Sequence, residues 1–236
     1  MGGRGASSGG GGGLFGRTAA QDRVIKRLAK RTANLKKEQY RIIDADGNVL
    51  LEKKGDNHSV AATVGEKRQY LYGNISLHNH PEGGTFSSDD LNEFGYGAKE
   101  MVVSAPEGTY RLINTKFGTK DYASGWLPMR DQLEQSIPPQ SFVKLTQQAR
   151  ENVANTKTAK SMKAISDKWD SIRQDQGADA AKKYLESVSE KYNALSAKHK
   201  AEIDSERRRL EVKPYDDFYK ANAKKYGFDY KFEKNK

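Results

Sequence analysis

The stretch Asn74-Ile75-Ser76-Leu77-His78-Asn79-His80-Pro81 leads from a short apolar run into a polar turn. The run that ends at Leu77 fits a buried strand, since brief apolar runs bounded by turn residues are typical of such strands. Pro81 and the Gly83-Gly84 pair then turn the chain. The segment 87–98 follows with the pattern of a helix. This order of strand, turn and helix predicts a structure that mixes both kinds of element.

Two segments predict β-hairpins on either side of this stretch. Residues 40–52 have a strand-like pattern that is interrupted by Asp46-Gly47, a dipeptide that favours a tight hairpin turn. Residues 100–113 repeat the arrangement around Pro106-Glu107-Gly108. Together with the central strand and helix, they predict the α+β fold class, with a small mixed-sheet domain over residues 38–125.

The segments outside this domain differ from it in composition. The N-terminal Gly/Ser run cannot bury enough surface to become ordered. The stretch beyond Pro128 is rich in Lys, Glu, Gln and Ala, which favours helices. The C-terminal aromatic residues are expected to dock as a short helix plus an extended tail. The predicted regions are a disordered Gly-rich tail (1–17), a basic amphipathic helix (18–37), an α-helical region of long helices (126–212) and an aromatic, basic C-terminal tail (213–236).

The charge of the chain is unevenly distributed. The net charge is +10. Residues 1–37 contribute +8 and residues 126–236 contribute +6, whereas residues 38–125 carry −4. Nucleic-acid binding by the basic flanks is therefore an open but less favoured interpretation, because a solvated helix face explains such charge more often.

Composition excludes several classes of protein. The chain has no Cys, which excludes disulfide frameworks, thiolate zinc fingers, iron–sulfur clusters and cysteine nucleophiles. No apolar run approaches the roughly 18 residues of a transmembrane helix, and the N-terminus lacks the apolar core of a signal peptide. We therefore expect no membrane partner and a cytoplasmic location.

The central stretch contains residues suited to bind a metal ion. His78 and His80 lie two positions apart at the end of a strand, so their side chains project to the same side. A helix opened by Ser87 brings Asp90 towards them. Two imidazoles and one carboxylate suit Zn²⁺, with a fourth position left for water. Three protein ligands with an open position are typical of a catalytic site rather than a structural one.

The pattern His78-x-His80-Pro81 followed by Ser87-x-x-Asp90 resembles that of the JAMM (MPN-type) zinc metallopeptidases, over roughly residues 38–115. The resemblance implies that His78, His80 and Asp90 hold Zn²⁺ and that Ser87 stabilises the oxyanion of a tetrahedral intermediate. One departure is the loop between His80 and Ser87, which has six residues where the common family pattern has seven. Starting the pattern at Ser88 instead would put Leu91 in place of the Asp.

The same resemblance implies a Glu from an earlier strand that accepts a proton from the metal-activated water. Glu38 fits best, because it directly precedes the first predicted strand. Glu52, at the end of the second predicted strand, is the alternative, and Glu66 in a polar segment fits less well. The expected reaction is hydrolysis of a peptide or isopeptide bond in a protein or peptide substrate.

Other interpretations remain open for the same residues. Ser87-x-x-Asp90 is also the pattern of a helix N-cap, with Phe86 and Leu91 as its hydrophobic staple. His58 and His199 are expected to be surface residues. The Gly-rich start and residues 78–91 are similar to bacteriophage morphogenesis proteins. That similarity implies an assembly protein whose metallopeptidase-like domain serves as a binding module on a helical scaffold. Its partners would be phage structural proteins, in a bacterial host cell or associated with the virion.

Overall fold

The computed structural model describes residues 16–56, 59–60, 62–137 and 142–235. The chain divides into two compact units, one formed by residues 1–138 together with 214–236 and the other by residues 139–213. The described residues contain a six-stranded mixed sheet and seven α-helices, which confirms the predicted α+β class. The Gly-rich tail lies almost entirely outside the described residues.

The sheet has the strand order β2-β1-β3-β4-β5-β6. Only the central pair β3 and β4 is parallel, and the other neighbouring strands are antiparallel. The central strands β3 and β4 are buried along their whole length. The strands are β1 (Gln39–Ile43), β2 (Val49–Lys54), β3 (Ile75–Asn79), β4 (Glu100–Ala105), β5 (Gly108–Asn114) and β6 (Phe228–Lys234).

Along the chain, helices precede, separate and follow the strands, and helices also form the second unit. Residues 18–37 are predicted to be helical, and α1 covers most of that segment. The predicted helix 87–98 is shorter in the structure, because residues 88–91 form a turn before α3 begins. The helices are α1 (Ala19–Thr32), α2 (Val64–Tyr70), α3 (Asn92–Gly95), α4 (Trp126–Ser136), α5 (Phe142–Val153), α6 (Lys157–Gln176) and α7 (Ala178–Asn222), followed by a 3-10 turn (Ala223–Tyr226).

Local hydrogen bonds explain why the first elements form. Thr18 and Gln21 make a reciprocal capping box at the start of α1. In the β1–β2 hairpin, the Asp44 carboxylate accepts hydrogen bonds from the backbone N–H groups of Asp46 and Asn48. Gly47 has a φ of 84°, a conformation that favours glycine. The predicted Asp-Gly turn is therefore present.

The two faces of the sheet are covered by different parts of the chain. Helix α1 covers one face, where its residues Ile25, Leu28 and Ala29 are buried in a cluster that includes Leu77 and Val102. The other face carries the larger core, which gathers residues from the central loop, from α3 and α4, and from the C-terminal segment. Its largest fully buried side chains include Phe86, Phe94, Tyr219 and Phe228.

The C-terminal segment, predicted to dock as a short helix plus an extended tail, docks as the end of a long helix followed by a strand. Helix α7 continues to Asn222, and the following chain forms β6 at the edge of the sheet. Phe228, Tyr230 and Phe232 alternate along β6 and pair with β5, and this period of two is a strand signal. The segment from residue 214 onward therefore belongs to the unit that contains the sheet.

The helical unit buries few apolar side chains among its described residues. Thr156 caps α6, and the hydroxyls of Thr156 and Thr158 donate to the Glu202 carboxylate on α7. The apolar seam of α7 consists of residues spaced three or four positions apart, namely Leu185, Val188, Tyr192 and Leu195. Leu185 and Tyr192 of this seam are 40% and 37% exposed. In the described ranges, we find no helix with the length and apolar character required to cross a membrane.

Candidate metal centre

Strand β3 fixes the position of both histidines. It lies between β1 and β4, and His78 is opposite Tyr40 of β1, with the two rings stacked at a centroid distance of 6.4 Å. The backbone N–H of His80 donates to the carbonyl of Ser104 (2.9 Å), which extends the pairing with β4 beyond the end of β3. The two imidazoles therefore project to the same side of the sheet, as predicted from their spacing.

The loop after His80 returns the chain to the histidines. Gly83 and Gly84 have φ values of 88° and 111°, which favour glycine over residues with a Cβ. The backbone N–H of Gly84 donates to the Glu107 carboxylate (2.7 Å) in the β4–β5 turn. The glycine pair thus makes the turn that its sequence predicts, and Glu107 anchors it.

Ser87 and Asp90 make the reciprocal hydrogen bonds of a capping box, but these bonds close the turn 88–91 and do not cap α3, whose N-cap is Leu91. The backbone N–H and the hydroxyl of Ser87 donate to Asp90 Oδ2 at 2.7 and 2.8 Å, and the Asp90 N–H donates to Ser87 Oγ at 3.3 Å. Phe86 and Leu91 on either side are fully buried, as a hydrophobic staple requires. This cap does not compete with metal binding, because it holds the Asp90 carboxylate facing the histidines.

His78, His80 and Asp90 converge, with ligand atoms that all lie within 4.8 Å of one another. His78 Nε2 lies 3.0 Å from His80 Nε2 and 3.2 Å from Asp90 Oδ1. His80 Nε2 lies 3.8 Å from Asp90 Oδ2. The side chain of His78 is 5% exposed. These three residues could hold a metal ion.

The pKa values of the cluster follow from burial and from the Asp90 charge. Burial lowers the pKa of His78, but the charge and hydrogen bond of Asp90 outweigh it and raise that pKa to about 9. Burial and the neighbouring His78 cation lower the pKa of His80 to about 4. Burial raises the pKa of Asp90, but the histidines outweigh it and hold that pKa well below its usual value. Without a metal, the pair of histidines therefore holds one proton at neutral pH.

A cavity of about 480 Å³ opens onto this cluster and includes the two residues predicted to act with it. Glu38, just before β1, and Ser87 both lie on its wall. Glu52 is paired with Arg41 (2.9 Å), and Arg41 faces away from the side of β1 that carries Tyr40. Between the two predicted candidates for the base, only Glu38 shares the cavity with the histidines.

Glu93 is a cavity residue that the sequence analysis missed. Glu93 lies on α3 and is 4% exposed. Its Oε1 is 3.8 Å from Lys67 Nζ. Burial raises its pKa, against the lowering effect of the positive charges of His78 and Lys67. The signal available in the sequence is its position three residues after Asp90, since residues at that spacing share a helix face.

The C-terminal segment supports the loop that carries the site, which the sequence also did not reveal. The Tyr219 hydroxyl donates to the carbonyl of Phe86 (3.3 Å), and the two rings meet edge to face. The Tyr230 hydroxyl donates to Asp216 (2.7 Å) and lies 3.1 Å from the Thr85 hydroxyl. Both tyrosines therefore contact residues just before Ser87.

The other residues predicted as alternatives are not members of the cluster. Glu66 closes a capping box with Thr63 at the start of α2 and pairs with Lys53 (2.6 Å). His199 lies on α7 in the helical unit, 3.7 Å from Glu202. The prediction for His58 falls outside the described residues. In the basic flank, Lys26 pairs with Asp22 (2.8 Å), and nucleic-acid binding there stays a prediction.

Comparison of the chain with protein-family models, with curated proteins and with solved structures finds no match.

Proposed function

We propose that this protein is a zinc-dependent hydrolase of peptide or isopeptide bonds, with the JAMM-type arrangement that its motif resembles. The observation that carries the proposal is the spacing of the ligand atoms. A tetrahedral Zn²⁺ with bonds of about 2.0 to 2.1 Å separates neighbouring ligands by about 3.3 Å. The nearest approaches are 3.0 Å between the two Nε2 atoms, 3.2 Å from His78 Nε2 to Asp90 Oδ1 and 3.8 Å from His80 Nε2 to Asp90 Oδ2. With one ligand atom taken from each residue, all separations stay within 4.8 Å. The donor set, two imidazoles and one carboxylate, also suits this ion.

The roles of the chain's own residues follow from their positions. A bound Zn²⁺ supplies Lewis acidity, because it polarises a carbonyl and lowers the pKa of water to about 7. The Glu38 carboxylate on the cavity wall accepts a proton from the attacking water and passes it to the leaving amine. His78, held by β3, and Asp90, held by its cap, keep their ligand atoms fixed before the ion arrives.

Ser87 has two roles in this proposal, and they exclude each other at any one moment. Its single hydroxyl hydrogen is donated to Asp90 Oδ2, which orients that carboxylate. To stabilise an oxyanion, the hydroxyl must redirect this hydrogen into the cavity, while the Ser87 backbone N–H keeps its hold on Asp90.

Zinc content tests the metal site directly. The full chain is purified, dialysed against zinc and then against metal-free buffer, and its zinc is measured by mass spectrometry. We expect about one zinc per chain for the wild type and near zero for His80→Ala and for Asp90→Asn. His199→Ala is the matched control, because it removes a histidine from the helical unit, and it should keep the wild-type content. Near-zero zinc in the wild type would overturn the proposal.

Hydrolysis is tested with a mixture of peptides from a digested cell lysate, with products identified by mass spectrometry. Glu38→Gln should retain zinc and lose cleavage, because the amide cannot take up the proton. Glu52→Gln removes a carboxylate of the other face and should retain both zinc and cleavage. A Glu38→Gln variant that cleaves like the wild type would assign the base elsewhere.

A second candidate function is that of an assembly protein, with the metallopeptidase-like domain as a binding module. The exposed seam residues of α7 favour it, because Leu185 and Tyr192 lie two turns apart on one face. Phage structural proteins in a bacterial cytoplasm are the proposed partners. Light scattering and cross-linking of the full chain test this role, and a strict monomer that captures no partner would count against it.

A further inference from the structure

The solvent face of α1 carries a continuous band of positive charge. Successive residues of an α-helix are rotated by about 100°, so the five cations of this band span an arc of about 140°. All five are exposed, whereas Ile25, Leu28 and Ala29 on the opposite side are buried against the sheet. We call this band the cationic face, and its residues are Arg23, Lys26, Arg27, Lys30 and Arg31.

Most of the charge on the cationic face has no partner within the molecule. Lys26 pairs with Asp22 (2.8 Å), the acidic residue of α1. The other four cations have no carboxylate within 4 Å among the residues that the structure describes. Like charges four residues apart, such as those of Arg23 and Arg27, destabilise a helix. The stability of α1 therefore does not explain this face.

The helices of the other unit show a different arrangement of exposed charge. There, Lys163 pairs with Asp167 (2.7 Å) and Arg207 pairs with Glu211 (3.1 Å), in both cases four residues apart. Opposite charges at this spacing stabilise a helix. A solvated helix face of this chain therefore does not require charge of a single sign, and a basic stripe along one helix favours an anionic partner.

The positive charge continues into a cleft beside α1. This cleft has a volume of about 390 Å³, and its lining includes Lys30 from α1 and Lys234 from the end of β6. Neither lysine has an ion pair among the described residues. The carboxylate of the described lining, Glu233, is paired with Arg111 (3.4 Å). Two elements that are distant in sequence thus present unneutralised cations to one opening, which independently indicates an anionic ligand.

The structure favours a nucleic acid over an anionic membrane as this partner. An amphipathic helix binds a membrane by burying its apolar face among the lipids, and the sheet already covers the apolar face of α1. Helix α1 contains no aromatic residue, so it cannot stack on unpaired bases as proteins that bind single strands do. Contact with phosphates remains, and a duplex has a high density of phosphate charge.

We propose that the cationic face of α1 binds the phosphate backbone of a double-stranded nucleic acid. Cations four residues apart are separated by a rise of about 6 Å. A duplex carries one phosphate charge per about 1.7 Å of its axis, so each cation meets a phosphate. This role does not depend on the proposed hydrolysis, because none of the residues described as lining the metal cavity comes from segment 16–37.

Fluorescence anisotropy of the full chain with a labelled duplex of mixed sequence tests the proposal, with DNA and RNA duplexes in separate titrations. About five phosphate contacts predict that log K falls with log salt with a slope of about −4.5. Tighter binding of either duplex supports the proposal and identifies the nucleic acid. A wild-type chain that binds neither duplex in 50 mM salt, or that binds only vesicles containing phosphatidylserine, would overturn it.

Charge-removing variants assign the binding to α1. The variant that combines Arg23→Gln, Arg27→Gln, Lys30→Gln and Arg31→Gln should bind about a hundredfold more weakly in 100 mM salt, with a slope near −1. Glutamine is a good helix former, and circular dichroism checks that the variant is folded. The matched control removes four exposed lysines of α7 and should keep the wild-type slope. It combines Lys182→Gln, Lys183→Gln, Lys191→Gln and Lys200→Gln.

Acetylation of the wild-type chain gives a result that does not depend on any variant. Mass spectrometry should show that the bound duplex protects Lys26 and Lys30 and leaves Lys182 reactive. Equal loss of affinity in the two variants, or equal protection of all three lysines, would overturn the inference. Neither result bears on the zinc content, so a failure here is distinguishable from a failure of the proposed function.

Discussion

The two faces of the sheet bury charge in opposite ways. On the face covered by α1, the Glu100 carboxylate is 2% exposed and contacts two arginines, Arg17 at 2.6 Å and Arg111 at 2.7 Å. On the cavity face, the Glu93 side chain is 6% exposed, and its ion-pair partner is Lys67 at the longer distance of 3.8 Å. The same residue type is thus held by two arginines at hydrogen-bond distance on one face and by a single, more distant lysine on the other.

We interpret this difference as one between a buried charge that stabilises the fold and a buried charge in a candidate ligand site. A fully paired buried cluster fixes how α1 and the sheet meet, and its loss should cost stability. Carboxylates and imidazoles with strongly shifted pKa values around a cavity are the pattern of a site that is completed by a ligand.

The largest effect is expected on the α1 face. Glu100→Ala leaves Arg17 and Arg111 buried without their shared partner and should lower the free energy of unfolding by about 3 to 5 kcal/mol. Urea unfolding followed by Trp126 fluorescence, in a Trp169→Phe background, isolates the unit that contains the sheet. Glu233→Ala, which removes a half-exposed partner of Arg111, is the control and should cost far less. A loss below 1 kcal/mol for Glu100→Ala would show that the paired Glu100 carboxylate does not stabilise the fold.

The next effect is expected on the cavity face and depends on metal. At a free zinc concentration of 100 times the dissociation constant, binding should raise the free energy of unfolding of the wild type by about 2.7 kcal/mol. His80→Ala should show no rise, because it removes one of three ligands. The same urea titration with and without zinc measures both. Equal zinc stabilisation of His80→Ala and His199→Ala would contradict the assignment of the ligands.

The pH dependence of zinc affinity follows from the proton held by the histidine pair. His78 is protonated below a pKa of about 9, and a metal-ligating imidazole must be neutral, so zinc has to displace this proton. Affinity should therefore fall as pH falls, by about tenfold or 1.4 kcal/mol per pH unit between pH 8 and pH 6. Competition with a chromophoric chelator measures it. A flat profile would show that the metal-free pair carries no proton.

The smallest effect concerns the support of the metal loop. Tyr230→Phe removes the donor to Asp216 and the contact with Thr85, and the loss of such a hydrogen bond costs about 1 kcal/mol. Because Thr85 lies just before the Ser87 cap, zinc affinity should fall severalfold. Tyr192→Phe on the exposed seam of α7 is the control. If the two variants bind zinc equally well, the C-terminal segment supports the fold without tuning the site.

Short-range patterns in the sequence are enough to predict several elements of the structure. The Asp-Gly hairpin, the strand that leads into the two histidines, the glycine turn and the Ser87–Asp90 hydrogen bonds all depend on residues within a few positions of one another. Such patterns act through backbone conformation and neighbouring hydrogen bonds, so they predict a secondary element and the side to which its residues point.

Which distant groups meet at this site depends on the tertiary structure and does not follow from short-range patterns. Glu38 shares the cavity and Glu52 does not, because register and pleat place them on different sides of the sheet. Tyr230 lies beside Thr85 although 145 residues separate them, because β6 pairs with β5 at the sheet edge. Contacts of this kind follow from the packing of the whole unit, and the balance of charge in the cavity depends on that packing.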